Sequence, residues 1–218
     1  MAERSKSKPT PEYLGGNSDE LYHFAYGSNM NPEQLAAHGV KPKVVAVAKL
    51  SGHQLVFFGH SVIWDGAEET LILVSGHDVW GVVYELSSAD RDRLDDWQDA
   101  RLDGSGSHFH SPATVTGVSG NTYKVLLYKK DAQGEPRKPS QEYLNFIVNG
   151  AVARDLPAAY IEKLRAMESR KAGFVVPRPR KSVRELVPAG DCSGCGDAGD
   201  SVAPSPIISI NLGSGSQS

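Results

Sequence analysis

The stretch Leu21–Met30 reads LYHFAYGSNM and decides the fold. Its first half has the alternation and the aromatic content of a buried strand. Gly27-Ser28-Asn29 then supplies turn and helix-capping residue types, and Asn31-Pro32 is typical of a helix start. A strand that passes through a tight turn into a helix gathers backbone N–H groups at one point, which suits a carboxylate or a phosphate. An ordinary strand–turn–helix connection explains the same spacing equally well.

Composition narrows the class of protein. The chain has 218 residues, of which 39% are hydrophobic and 22% charged, as in one globular domain with tails. A net charge of −3 gives no electrostatic reason to bind nucleic acid, and no apolar run is long enough to span a membrane. Met1–Asn17 lacks the apolar core of a secretory signal. The only cysteines, Cys192 and Cys195, form a lone CxxC without a second pair, so we expect a reducing, cytoplasmic setting.

The order of elements indicates one domain flanked by arms. Residues 1–20 are predicted to be a disordered N-terminal arm, 21–170 the folded domain, 171–188 a basic, proline-rich extension and 189–218 a disordered tail. Short strands with helices added at one side predict an α+β fold around a small closed or nearly closed sheet. After the first strand, further strands are predicted at 44–50, 54–58, 70–74, 79–86, 109–118 and 122–128, with a hairpin turn at 75–78 and helices from Pro32, Ser87, Ser140 and Pro157.

Several stretches carry a resemblance to a known family. FAYGSNM is similar to the YGSN signature that opens the gamma-glutamyl cyclotransferase-like fold. Further matching stretches follow in the same order: Asp78–Leu86 (DVWGVVYEL), Arg93-Leu94-Asp95, Pro139-Ser140 with Tyr143, Asn149-Gly150-Ala151 and Leu156–Tyr160. The resemblance covers roughly residues 20–170. It implies a small mixed β-barrel of about six strands with flanking helices.

The same resemblance implies a chemistry. Gamma-glutamyl cyclotransferases release 5-oxoproline when the substrate's own α-amine attacks its γ-carbonyl, so neither a protein nucleophile nor a metal or other cofactor is expected. The loop binds the substrate's α-carboxylate, a role that maps onto Tyr26, Gly27, Ser28 and Asn29. One carboxylate moves the proton from the ammonium to the leaving amine, and an apolar pocket that raises its pKa would suit that task.

The sequence departs from the family at this carboxylate. The family's Glu falls on Gln98, which has no titratable group. Asp99 could replace it after a one-residue shift of the helix end. Alternatively, Glu69 could enter the pocket from a neighbouring strand, because an acid that opens a buried strand is costly unless it is paired or functional. The third possibility is that the protein does not perform this reaction. Most of the acids at 95–99 also fit a solvated helix face.

Other candidate residues carry weaker signals. His108 and His110 share one strand face, but no third ligand follows at metal-binding spacing, so exposed histidines are the better interpretation. His110 could shuttle protons if it faces the pocket. Tyr128 and Tyr143 could line that pocket, although tyrosines at a sheet–helix junction more often belong to the core.

Together these features predict a gamma-glutamyl cyclotransferase-like lyase or acyltransferase that acts on a small molecule with a free carboxylate. The sequence resembles specialised fungal members that remove glutathione-derived groups in secondary metabolism. The alternatives are another proton-transfer cyclisation or isomerisation in the same pocket, and a non-catalytic binding protein. We expect no nucleic-acid or membrane partner, and a homodimer is possible.

Overall fold

The computed structural model describes residues 21–101, 103–130 and 134–178. The predicted arms at 1–20 and 189–218 lie outside these residues, as does 179–188 of the predicted extension. In chain order the strands and helices are β1 (Leu21–Ala25), α1 (Pro32–Ala37), β2 (Lys43–Ser61), β3 (Gly66–Leu86), α2 (Ser88–Gln98), β4 (His108–Gly117), β5 (Thr122–Lys130), α3 (Gln141–Ala153) and α4 (Ala158–Arg165). A single 3-10 turn, Ser28–Met30, lies between β1 and α1.

The five strands form a closed barrel in the order β1-β3-β2-β4-β5. Neighbouring strands are antiparallel except for β1 and β5, which pair in parallel where His23 meets Leu126. The predicted α+β fold with a small mixed barrel and flanking helices is confirmed, with five strands rather than about six. The core is buried inside the barrel and beneath the helices, and Phe24, Leu71 and Tyr84 are among its largest members.

The strand count differs because two pairs of predicted short strands are each one long strand, β2 and β3. The hairpin turn predicted at 75–78 is wrong, since β3 continues through it. The register between β2 and β3 shifts at this point, because one β2 residue, Gly52, lies opposite four β3 residues, 74–77. The segment is therefore a bulge in a continuous strand. Gly52 and Gly76 have φ values of 74° and 80°, a backbone conformation that glycine adopts without a steric cost.

The helices begin where their capping residues predict. The side chain of Asn31 accepts a hydrogen bond from the Glu33 N–H at the start of α1, and Ser87 and Ser140 cap α2 and α3 in the same way. Helix α3 approaches the chain after β1 closely, because a Cβ on Gly150 would lie 2.7 Å from the Asn31 nitrogen. None of the described helices has the length and apolar character needed to cross a bilayer.

Candidate active site

The loop at the end of β1 is held in place from two sides. The hydroxyl of the buried Tyr26 donates to the carbonyl of Tyr128 on β5 at 2.5 Å. The side-chain nitrogen of Gln34 on α1 donates to Asn29 Oδ1 at 2.9 Å and lies 3.2 Å from Ser28 Oγ. Loop residues 26–29 therefore belong to the rigid part of the molecule and line one end of a cleft.

Glu69 on β3 lies directly against this loop. Its Oε1 accepts a hydrogen bond from the backbone N–H of Ser28 at 2.7 Å, and its Oε2 accepts one from the hydroxyl of Tyr143 on α3. A Cβ on Gly27 would lie 2.0 Å from Oε1, so the glycine provides the space that the carboxylate occupies. Burial and the nearby Glu69 charge raise the pKa of Tyr143 well above its usual value, which keeps this hydroxyl a donor.

Gln98, the last residue of α2, also reaches the cleft. Its Nε2 donates to Asn29 Oδ1 at 3.0 Å. Its backbone carbonyl accepts from Nδ1 of His108 at 2.8 Å. Residue 98, where the family resemblance implies a carboxylate, therefore faces the loop, but its side chain is an amide.

Asp99 lies outside the cleft. It caps α2 in the left-handed conformation with φ 49°, which turns its side chain away from the loop. Its two oxygens accept from the Ser107 N–H and from Arg101, both at 3.0 Å. The Ser107 bond first, and then Arg101, lower the pKa of Asp99 below its usual value. The structure therefore brings Glu69 and Gln98 together at the loop but not Asp99.

The cleft consists of two cavities that share Glu69, Gln98 and His108. The inner cavity, about 20 Å³, lies between the end of β1, the loop and Tyr128, and it has room for a water-sized group. The second cavity, about 50 Å³ and called the outer cavity here, lies on the side of Glu69 that faces Trp64 and Trp97. Its apolar walls are Ile63, Trp64, Trp97 and Tyr143.

Charge in the cleft is concentrated on Glu69. Its neighbour Glu68 pairs with Lys130. Burial would raise the pKa of Glu68, but the hydrogen bond and charge of Lys130 bring that pKa below its usual value. Burial lowers the pKa of His108, against the raising effect of Glu68 and Glu69. Among the described residues that line the cleft, we therefore expect His108 to be neutral at neutral pH and no cation to offset Glu69.

A polar cluster supports the inner cavity from behind. Asp95 Oδ1 accepts from the Tyr128 hydroxyl at 2.6 Å and lies 2.7 Å from His110 Nε2. Burial would raise the pKa of Asp95, but the bonds from His110 and Tyr128 lower it. Asp95 therefore does not fit the solvated helix face predicted for most of the acids at 95–99, and His110 contacts this carboxylate rather than the cleft.

Among the polar residues that line the inner cavity, sequence reasoning missed two. His23 was assigned only to a strand, and His108 was expected to be exposed. Both line the inner cavity, together with Tyr128, which had been weighed as a pocket residue. A histidine within an otherwise apolar strand was the available signal for His23. Within residues 21–101, 103–130 and 134–178, no three His, Cys, Asp or Glu side chains come together so that they could hold a metal ion.

Comparison with known proteins places these features in context. Residues 78–164 match the AIG2-like family. The chain is 28% identical to human gamma-glutamylcyclotransferase over 161 residues, which is 72% of this chain and 84% of the human protein. The mouse gamma-glutamylcyclotransferase is also 28% identical, over 72% of this chain and 83% of its own length. A solved structure of a gamma-glutamyl cyclotransferase is similar at a TM-score of 0.67 and 27% identity, covering 77% of this chain and 97% of that one.

Proposed function

Because the chain belongs to the gamma-glutamyl cyclotransferase-like family, we propose that it catalyses the cyclisation of a gamma-glutamyl amide. The α-nitrogen of the substrate forms a bond to the γ-carbonyl carbon, and the bond from that carbon to the amide nitrogen breaks. The proton lost by the attacking amine ends on the departing amine. The products are 5-oxoproline and a free amine.

The position of Glu69 is the observation that carries this proposal. It places a carboxylate in contact with the loop, in the same cleft as the amide of Gln98. A carboxylate can take a proton from the attacking amine and return it to the leaving nitrogen, whereas a neutral amide cannot. Ser28 and Tyr143 fix the orientation of this group by holding one oxygen each. Glu69 is therefore our candidate for the base, with Gln98 and loop residues 26–29 as substrate contacts.

The Ser28 contact also allows a second candidate function. The N–H of Ser28 is the kind of donor that would bind a substrate carboxylate, and Glu69 now occupies it. A protein in which Glu69 only fills this position, and in which residue 98 is an amide, would bind a small molecule in the cleft without converting it. Product formation separates the two functions.

We further propose a substrate whose leaving amine has an apolar part, as in a glutathione-derived adduct or a specialised metabolite. The outer cavity supports this because Trp64 and Trp97 form part of its wall. A cytoplasmic location, a homodimer and a reaction without metal or cofactor complete the proposal.

The experiment is to incubate the purified chain with glutathione, gamma-glutamyl dipeptides and gamma-glutamyl anilides and to measure 5-oxoproline by mass spectrometry. We expect product from the wild-type chain and from Asp99→Asn, a matched change of acid to amide outside the cleft. A folded wild-type chain that releases no 5-oxoproline from any of these substrates would contradict the enzyme proposal. Binding without turnover would support the second candidate.

A further inference from the structure

His108 is a cleft residue to which the proposed reaction gives no role. It is the first residue of β4 and lines both cavities, together with Glu69 and Gln98. Its Nδ1 is 2.8 Å from the backbone carbonyl oxygen of Gln98 and 3.2 Å from Ser107 Oγ. Because a carbonyl can only accept, Nδ1 carries the hydrogen, and in a neutral ring Nε2 then has a free lone pair.

The lone pair of His108 Nε2 is accessible. The side-chain hydrogen bonds that His108 makes with the described residues all involve Nδ1. The described side-chain atoms that are fully buried without a partner are His23 Nε2 and Tyr160 Oη. His108 Nε2 is not one of them, so it keeps accessible surface. It is therefore the polar atom that the ring presents to the cavities it lines.

The charged groups around His108 come from β3 and β5. Burial has the largest effect and lowers the pKa of His108 below its ordinary value, while Glu68 and Glu69 on β3 raise it and Lys130 on β5 lowers it. The ring is therefore neutral at pH 7 and can accept a proton. Once a proton has arrived, the two carboxylates would stabilise the charged ring.

The proposed reaction moves more protons than one carboxylate can hold. At neutral pH the substrate's α-amino group is mostly protonated, and an ammonium group has no lone pair with which to attack. Its nitrogen therefore loses one proton before the attack and a second as the bond to the γ-carbonyl carbon forms. The departing nitrogen gains one proton as its bond breaks and another when the free amine becomes an ammonium ion. A carboxylate holds one proton at a time, so the first proton needs a second acceptor.

Among the described residues that line the cleft, His108 is the suitable second acceptor. Glu68 is held in an ion pair. The tyrosines keep their own protons, because burial raises the pKa of each. His23 Nε2 is fully buried. Glu69 and His108 are the groups that remain.

We propose that His108 Nε2 takes the proton that the substrate's ammonium group loses before it attacks, so that both Glu69 and His108 exchange protons with the substrate. This proposal rests on the proposed function for the reaction itself. Glu69 takes the second proton, which is released as the new bond forms, and passes it to the departing nitrogen. The free amine then takes the proton from His108 as it leaves, so both groups return to their starting states.

The test compares the pH dependence of kcat/KM in the wild-type chain, His108→Asn and His77→Asn. The asparagine amide can keep the hydrogen bond to the Gln98 carbonyl, but nothing in it replaces Nε2. His77→Asn is the matched control, because His77 is exposed and is not among the residues that line the cleft. The substrate is the gamma-glutamyl dipeptide or anilide that the wild-type chain converts fastest, and 5-oxoproline release is measured from about pH 6 to about pH 9.5.

At pH 7 we expect kcat/KM of His108→Asn to lie about 10²-fold below the wild-type value, as for the loss of a general base. The variant should gain about tenfold per pH unit, because only the free-amine form of the substrate can react without His108. It should approach the wild-type value once the substrate's amine is deprotonated, and His77→Asn should follow the wild-type chain at every pH. In the wild-type chain, ¹⁵N NMR at pH 7 should show His108 Nε2 without a proton, and this measurement does not depend on any variant folding.

A loss in His108→Asn that is the same at every pH would show a structural role and overturn the proposal. No loss at all, or a protonated Nε2 in the wild-type chain, would also overturn it. If the wild-type chain still forms 5-oxoproline, any of these results removes the role of His108 and leaves the proposed reaction standing. A wild-type chain that forms no 5-oxoproline would overturn both.

Discussion

Replacing Glu69 by Gln is the most direct test of the candidate site. The change keeps the size of the side chain and removes its charge. The glutamate accepts one hydrogen bond on each oxygen, from the Ser28 N–H and from the Tyr143 hydroxyl. Glutamine can keep one of these bonds on its remaining oxygen, but its –NH₂ group cannot accept the other.

The structural cost and the catalytic cost of this change should differ in size. Losing one charge-assisted bond, with some relief from no longer holding a charge in the cleft, should lower the free energy of unfolding by about 1–2 kcal/mol. A typical domain has 5–15 kcal/mol available, so we expect the variant to stay folded. Loss of a general base should lower kcat by about 10²–10⁴-fold, or roughly 3–5 kcal/mol.

The assay combines urea unfolding with the rate of 5-oxoproline release. Asp99→Asn should keep kcat within about twofold, because its side chain is directed towards Arg101 and Ser107. If Glu69 only fills the position of the substrate carboxylate, neither the wild-type chain nor Glu69→Gln should release 5-oxoproline, although both should bind a small molecule in the cleft. A kcat within threefold of the wild-type value would refute the assignment of Glu69 as the base.

Three further changes test other parts of the structure. In Gly27→Ala the new Cβ would lie 2.0 Å from Glu69 Oε1 and would displace that side chain. We expect kcat/KM to fall about 10²-fold and the melting temperature to fall by about 2–8 °C, since the Ser28 contact is lost. A variant with wild-type activity would contradict the close contact. His23 keeps a folded pKa of about 4, below its ordinary 6.5, so its contribution to stability is complete above pH 6.5 and is lost as the pH falls towards 4. Between pH 7.5 and 5.5 the wild-type chain should therefore lose about 1 kcal/mol more than His23→Phe in urea unfolding, and parallel losses would count against this pKa. Asp65→Asn removes the charge of a carboxylate that accepts hydrogen bonds from Arg170 and from the Gly173 N–H. Trypsin should therefore cleave the variant near Arg170 faster than the wild-type chain. An unchanged cleavage rate would show that this contact does not hold residues 170–173 in place.

Local chemistry explains which parts of the fold were predictable. Asn31 and Ser140 were predicted as helix caps, and Ser87 or Ser88 as the cap of α2, because capping involves residues only a few positions apart. The continuity of β2 and β3 was not, since glycine and serine favour a turn and a bulge alike. Only the pairing of β2 with β3 around Gly52 and Gly76 shows that this segment is a bulge and not a turn.

The candidate site was predictable to a smaller extent. Glu69 was identified because an acid at the start of a buried strand is unusual, and the structure places its side chain at the loop. Asp99 looked equally suitable, but its left-handed backbone directs the side chain outwards, which residue type alone does not reveal. The Nδ1 of His23 contacts the carbonyl of Leu126, which lies 103 residues away in the sequence. No local sequence pattern predicts a contact over such a separation.

The parallel pairing of β1 with β5 has a consequence for how the chain folds during synthesis. β1 leaves the ribosome before the other strands and can pair with β3. Its other edge remains unpaired until Leu126 on β5 has been synthesised. The hydrogen bond between Glu69 and Tyr143 also forms late, because Tyr143 lies 74 residues further along the chain. Contacts of such long sequence separation form late, and an unpaired strand edge invites association with other chains. A nascent chain that ends before Tyr143 should therefore contain every loop residue and still have no working pocket.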